Sequence, residues 1–132
     1  MIRTKENLVI EPKAIDHTTL FVRSIERSKA YYQRLFAVDC KVREDSPGTL
    51  VVESPHIHFF LVEDPEAPAD FVAKQHLSLQ VDDLDQAMEI LADRGVTGTS
   101  AGEVTFFRHN NYRWCEWRDP DGIRLECVQT TP

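Results

Sequence analysis

Two histidines stand at the head of matching segments. His17-Thr18-Thr19-Leu20-Phe21-Val22 and His76-Leu77-Ser78-Leu79-Gln80-Val81 share a His-x-x-Leu-x-Val pattern and lie 59 residues apart (17 to 76). A carboxylate, Glu126, follows the turn sequence Asp119-Pro120-Asp121-Gly122 near the other end of the chain. Neutral imidazole nitrogen and carboxylate oxygen suit a divalent transition metal such as zinc, iron, manganese, nickel or cobalt. Three protein ligands also leave coordination positions open for water or substrate. A lone strand histidine is ordinarily a hydrogen-bonded residue and nothing more. Recurrence at equivalent positions sets a metal site against that ordinary reading, and spacing alone leaves both open.

The elements that must carry these residues repeat as well. Past the two histidines the correspondence continues with Ile25 on Leu84, Ser28 on Ala87, Tyr31 on Ile90 and Tyr32 on Leu91, the pattern of an internal duplication. Each half opens on an alternating run and then changes period. Ile25, Ser28, Tyr31, Tyr32, Leu35 and Phe36 recur at helical spacing behind Ser24 as N-cap. Leu84, Ala87, Met88 and Leu91 do the same behind Asp83, with Gln86 three residues on and Gly95 as the stop. Strands are predicted over 38–44, 49–53 and 57–62 in the first half, separated by Ser46-Pro47-Gly48 and Ser54-Pro55 turns. The second half offers strands over 96–100, 112–118 and 123–128. An acidic, proline-containing link over 63–74 joins the halves. The order is strand–helix–strand–strand–strand, twice. This is an α+β fold of two βαβββ modules (14–63 and 75–130) forming a curled mixed sheet with helices on its outer face, a single domain over 14–130.

A helix covers one face of such a sheet, so each strand sends its apolar residues that way. Leu77, Leu79 and Val81 then face the helix and leave His76, Ser78 and Gln80 opposite. Ile123, Leu125 and Cys127 leave Arg124, Glu126 and Val128 opposite, and Leu20 and Val22 leave His17, Thr19 and Phe21. His17, His76 and Glu126 thus share the face away from the helices, a concave pocket if the sheet curls. On the strand 112–118, packing of Trp117 into the core would place Glu116 beside Glu126. Paired carboxylates raise one another's pKa, which suits a proton-transfer base; the other reading of Glu116 is a solvated strand carboxylate. Tyr112, Trp114 and the Phe106-Phe107 pair are either the lining of an apolar mouth or core and dimer contacts.

Length and charge bound the function. The chain has 132 residues, 42% hydrophobic and 28% charged, with 7 prolines and 5 glycines, a globular balance of single-domain size. A net charge of −7 argues against a general nucleic-acid binder. No stretch approaches the length of a membrane span, and residues 1–13 carry no apolar signal core. Three cysteines in apolar contexts (Cys40, Cys115, Cys127) read as buried thiols of a reducing compartment. A cytoplasmic protein with a small-molecule substrate is expected.

Taken together, His17-x-x-Leu20-x-Val22 before the Tyr31-Tyr32-x-x-Leu35 helix, His76-x-x-Leu79-x-Val81-x-Asp83-Leu84, and Asp119-Pro120-Asp121-Gly122-x-x-Leu125-Glu126 resemble the vicinal oxygen chelate superfamily. Its members include glyoxalase I, bleomycin-resistance proteins, fosfomycin-resistance enzymes and extradiol dioxygenases. The resemblance runs from about Ile15 to Val128. It implies paired βαβββ modules and a divalent metal (zinc, nickel, manganese or iron(II)) held by His17, His76 and Glu126. It also implies a homodimer in which each site is often assembled from two chains. The activity it implies is glyoxalase-like lyase or isomerase chemistry, for which Glu116, placed by alternation, or a metal-bound group is the expected catalytic base. Iron(II) extradiol-type dioxygenation and non-catalytic small-molecule binding are the alternatives. Glyoxalase I carries a further acidic ligand on the last strand of its first module, where this chain has Ile57-His58-Phe59-Phe60-Leu61-Val62 and no carboxylate. His58, directed by alternation to the pocket with Phe60, is a fourth ligand, a substrate contact or a surface histidine.

Overall fold

The computed structural model describes residues 5–106, 108 and 110–131. The first module runs β1 (Thr19–Val22), α1 (Ile25–Leu35), β2 (Asp39–Arg43), β3 (Ser46–Glu53) and β4 (His58–Glu63). The short helix α2 (Ala69–Ala73) follows. The second module then runs β5 (His76–Gln80), α3 (Leu84–Asp93), β6 (Ser100–Val104), β7 (Asn111–Arg118) and β8 (Arg124–Thr131). The eight strands divide into two mixed four-stranded sheets of the same topology, β1-β4-β3-β2 and β5-β8-β7-β6. In each, the first strand lies parallel to the last and the remaining pairs are antiparallel. The fold is α+β, two βαβββ modules.

Local chemistry explains the helix starts. Ser24 and Asp83 hold extended backbone, and their side chains accept from the N–H groups of Arg27 and Gln86, satisfying donors that a first helical turn leaves free. The buried positions of α1 and α3 include Tyr32 and Leu91, so the predicted apolar stripes face the sheets.

Three elements depart from the predicted ones. The first-half turn lies at residues 44–45, and Ser46-Pro47-Gly48 opens β3. The β2–β3 register slips between Val42 and Arg43, and pairing with β4 begins only at Thr49, so Pro47 and Gly48 stand outside both ladders. Proline is tolerated there because no ladder bond needs its missing N–H. The strand predicted over 96–100 lies instead at Ser100–Val104. Val96 donates its N–H to the Leu91 carbonyl and packs against the core, and positive φ at Gly95 and Gly98 turns the chain before it can extend. The link between modules is more than a link, since α2 buries Val72 completely.

One core joins the modules. Leu20, Val22, Tyr32, Leu50, Leu61 and Phe59 from the first pack with Leu84, Cys115, Trp117, Ile123 and Leu125 from the second. Its polar contacts cross the boundary. Tyr32 Oη donates to Asp119 Oδ2 at 3.1 Å, and Trp117 Nε1 donates to Tyr31 Oη at 3.0 Å. Gln75 works as a side-chain strand: its Oε1 accepts from the Phe21 N–H and its Nε2 donates to the Phe21 carbonyl, both at 2.7 Å. That pairing satisfies backbone groups on the edge of β1 that no strand covers among the described residues. Among the described residues, no helix is long and apolar enough to cross a membrane.

Candidate functional site

The turn at 119–122 sets where β8 begins, and hence where Glu126 points. Asp119 is buried, and its Oδ1 accepts from the N–H groups of Asp121 and Ile123 at 2.9 Å each. Gly122 sits at φ 91°, a conformation that a side chain would strain. Asp121 pairs with Arg27 of α1, so this turn is clamped to the first module. Burial pushes the Asp119 carboxyl above its usual range, against the hydrogen bonds that favour its charged form. The same burial, with Asp119 beside it, pushes the Tyr32 hydroxyl well up.

From the turn, alternation does the rest. Leu125 and Cys127 enter the core and Glu126 takes the opposite face. In β7, Cys115 and Trp117 are buried, which leaves Glu116 directly across from Glu126 in the antiparallel register. In β5, His76 precedes Ser78, and Ser78 is the parallel partner of Glu126. His76 Nε2 lies 3.3 Å from Glu126 Oε1, and ligand atoms of His76, Glu116 and Glu126 all fall within 4.8 Å of one another. The Glu126 side chain is only 11% exposed, against 37% for His76. Glu116 accepts a hydrogen bond from Arg124 Nε, so the carboxylate expected as a free base is tied to a guanidinium. A hollow of about 350 Å³ opens on this face, lined by Glu126, Ser78, Gln80, Tyr112, Val128 and others.

The donor set fits a divalent metal. A carboxylate drawn largely out of water is costly unless a cation or donors compensate it, and His76 alone faces Glu126 among the described ion pairs. One nitrogen and two carboxylates within a common reach supply the borderline-hard set that zinc, manganese or iron(II) accepts.

His17 stands elsewhere. Its Nδ1 donates to Asp16 Oδ2 at 2.7 Å, and its ring lies 5.7 Å from that of His58 and 4.7 Å from that of Phe60. Asp16, His17 and His58 form a second group with ligand atoms within 4.8 Å. The His17 hydrogen bond and the neighbouring imidazoles hold the Asp16 carboxyl below its usual range. Within one chain, then, His76, Glu126 and Glu116 come together, and His17 belongs to a separate cluster with His58. Asp16, exposed and next to His17, is the donor the sequence reading missed; its adjacency was the available signal. Phe59 and Leu61 are buried and His58 and Phe60 face the other way, as alternation predicts.

Of the aromatic residues considered for a pocket mouth, Tyr112 lines the hollow. Trp114 lies over Gly102, where a Cβ would come within 2.7 Å of the indole. Phe106 is 78% exposed, and Phe107 lies outside the described residues. A larger hollow, about 760 Å³, lies between the end of α1 and α3 and includes neither ligand cluster.

Two four-stranded βαβββ modules, with imidazole and carboxylate groups clustered on the faces away from the helices, define the class of fold. A family model described as the glyoxalase/bleomycin resistance protein/dioxygenase superfamily matches residues 14–127, and the chain belongs to that superfamily. A search of curated proteins gives no match. Among solved structures, an integron cassette protein from the mobile metagenome of V. cholerae superposes with a TM-score of 0.76 at 20% identity, over 94% of this chain and 100% of that one. An antibiotic-binding protein, TnmS3, from Streptomyces gives 0.72 at 21% identity over 93% and 100%. A lactoylglutathione lyase from Agrobacterium tumefaciens gives 0.70 at 17% identity over 90% and 95%. At these identities the likeness is one of fold.

Proposed function

We propose that this chain is a metal-dependent enzyme acting on a small organic substrate, with lyase or isomerase chemistry of the glyoxalase kind. The observation that carries the reading is the His76–Glu126–Glu116 cluster, sited beside an open hollow in a member of this superfamily. The ligands are His17, His76 and Glu126. Since His17 stands apart from the other two in one chain, the site is completed by a second copy, the first module of one chain facing the second module of the other. The protein is a homodimer on this reading.

Each residue then has a task. His76 presents Nε2 and Glu126 presents Oε1 from adjacent strands. A divalent metal held there supplies Lewis-acid polarisation of neighbouring substrate oxygens. Glu116 takes the substrate proton. Arg124 orients that carboxylate through Nε and, 42% exposed, presents a positive charge to an anionic part of the substrate. Tyr112 and Val128 wall the hollow above them.

Metal analysis and calorimetry test the reading. Protein purified without chelator is expected to carry one divalent ion per His17–His76–Glu126 set, and His76→Ala to weaken zinc or nickel binding at least about tenfold. Equal affinity in the variant refutes the site. Activity on 2-oxoaldehyde–thiol adducts under anaerobic conditions with zinc or nickel is expected; activity confined to iron with oxygen uptake assigns a dioxygenase instead. The separation of His17 from its partners within one chain favours a second reading, a small-molecule binding protein. That reading requires ligand affinity unchanged by chelation; a monomer in sedimentation at tens of micromolar would, for its part, overturn the shared site.

A further inference from the structure

The two modules can be compared position by position through their strand registers. In the first, Thr19 is the parallel partner of Phe60; in the second, Ser78, the repeat equivalent of Thr19, is the partner of Glu126. Phe60 therefore occupies in module one the place that Glu126 holds in module two. Two residues earlier on the same strands, His58 corresponds to Arg124, and each stands beside the histidine that heads its module. Module two has an imidazole, a carboxylate at the strand centre and a cation. Module one has an imidazole, a phenyl ring at the strand centre and a second imidazole.

The second imidazole is placed to act with the first. The Phe60 N–H donates to the Thr18 carbonyl at 2.9 Å, which fixes the β1–β4 register and keeps His17 and His58 on one face. Phe60 packs against both rings, at 4.7 and 6.0 Å between centroids. The Asp16 carboxylate lies between the histidines, Oδ2 being 2.7 Å from His17 Nδ1 and 3.6 Å from His58 Nε2. Both imidazoles are about two-fifths exposed, so they can rotate to a common ion without disturbing the core.

We propose that module one holds a divalent transition metal of its own accord, through His17 and His58 with the Asp16 carboxylate as third donor, within a single chain. Two nitrogens and one oxygen favour nickel, copper or zinc over magnesium or calcium. The inference shares His17 with the reading above but requires no residue of module two. In an assembled site it makes the anchor from module one two nitrogens rather than one.

The test uses the full chain. A His76→Ala/Glu126→Ala variant, with its fold checked by near-ultraviolet circular dichroism, is titrated with nickel by calorimetry. It is also loaded with copper(II) for paramagnetic resonance, where nitrogen splitting counts bound imidazoles. The expected result is one ion per chain, splitting from two nitrogens, and an affinity about tenfold lower or worse once His58→Ala is added. His58→Ala alone, in the otherwise native chain, is expected to weaken nickel binding and remove one nitrogen from the copper spectrum. If the double variant binds no metal while the native chain does, the module-one site is refuted and the shared triad stands. The same holds if His58→Ala changes neither affinity nor splitting. If the double variant binds as tightly as the native chain, the module-one site stands and the triad falls. A native chain that binds neither metal overturns both.

Discussion

Tyr32→Phe removes one oxygen from the interior and tests whether the turn that aims Glu126 is braced from the other module. Tyr32 is fully buried, and its hydroxyl donates to Asp119 Oδ2 at 3.1 Å. The other oxygen of that carboxylate is engaged by two backbone N–H groups of the turn. The variant leaves Oδ2 without this donor in a residue only 5% exposed. A hydrogen bond to a charged group contributes about 1.5–3 kcal/mol net. For a chain of 132 residues, a loss of about 2 kcal/mol lowers Tm by about 7 °C.

The same change has a pH signature. Burial raises the Asp119 carboxyl above 3.8, and the Tyr32 hydrogen bond opposes that rise. An acid with a raised folded pKa favours the folded state below its unfolded pKa, and that contribution is lost as pH rises through the folded value. Removing the hydroxyl raises the folded value further, so the variant loses more stability than the native chain as pH rises. Thermal melts followed by tryptophan fluorescence from about pH 4 to about pH 7 should show the gap in Tm widening with pH. A gap at pH 7 smaller than about 2 °C, or one that widens toward acid, would refute the coupling.

Glu116→Gln should lower turnover by about 10² to 10⁴ while metal content is unchanged, the effect of losing a positioned base. Loss of metal in that variant would make Glu116 a ligand instead. Gly102→Ala drives a Cβ to 2.7 Å from the Trp114 ring, and displacing that ring should cost about 1–3 kcal/mol in urea unfolding. An unchanged midpoint would show that the indole gives way freely. Burial raises the Cys40 thiol, the Cys115–Cys127 hydrogen bond raises that of Cys127 and lowers that of Cys115, and the burial of all three cysteines limits access to each. Thiol titration of the native protein near pH 8 should therefore be slow and become complete for three thiols only on denaturation; a fast-reacting thiol in the native chain would contradict it.

What the sequence disclosed follows from which interactions are local. Helix starts depend on a cap and the three residues after it, so Ser24 and Asp83 were legible, as was the Asp119–Gly122 turn. Strand faces depend on alternation, so the outward position of His58, His76, Glu116 and Glu126 was legible too. Elements decided by distant partners were not. The onset of β6 depends on Val96 bonding back to Leu91 and on what β7 offers at Glu116. The Gln75 amide pairing with Phe21, and Asp119 meeting Tyr32, join residues 54 and 87 positions apart, and no periodicity records them. The pairing of Glu116 with Arg124 was also missed, because the two sit on different strands and meet diagonally across the ladder.

The two modules share one topology and one register, and the differences at a few positions on their last strands decide what each can do. Where β8 carries Glu126 between His76 and Glu116, the face gathers oxygen donors around one nitrogen. Where β4 carries Phe60, the corresponding face has no carboxylate at its centre and gathers imidazoles instead. Neither face alone offers the His17–His76–Glu126 set, since its members are divided between the two clusters of a single chain. A shared site therefore requires a symmetric pairing that brings unlike faces together, and a two-fold dimer does this twice with one set of contacts. Such a pairing makes metal affinity depend on protein concentration near the dimer dissociation constant. A module-one site built from His17, His58 and Asp16 has no such dependence. Dilution thus separates the two metal-binding modes in the native chain without any substitution.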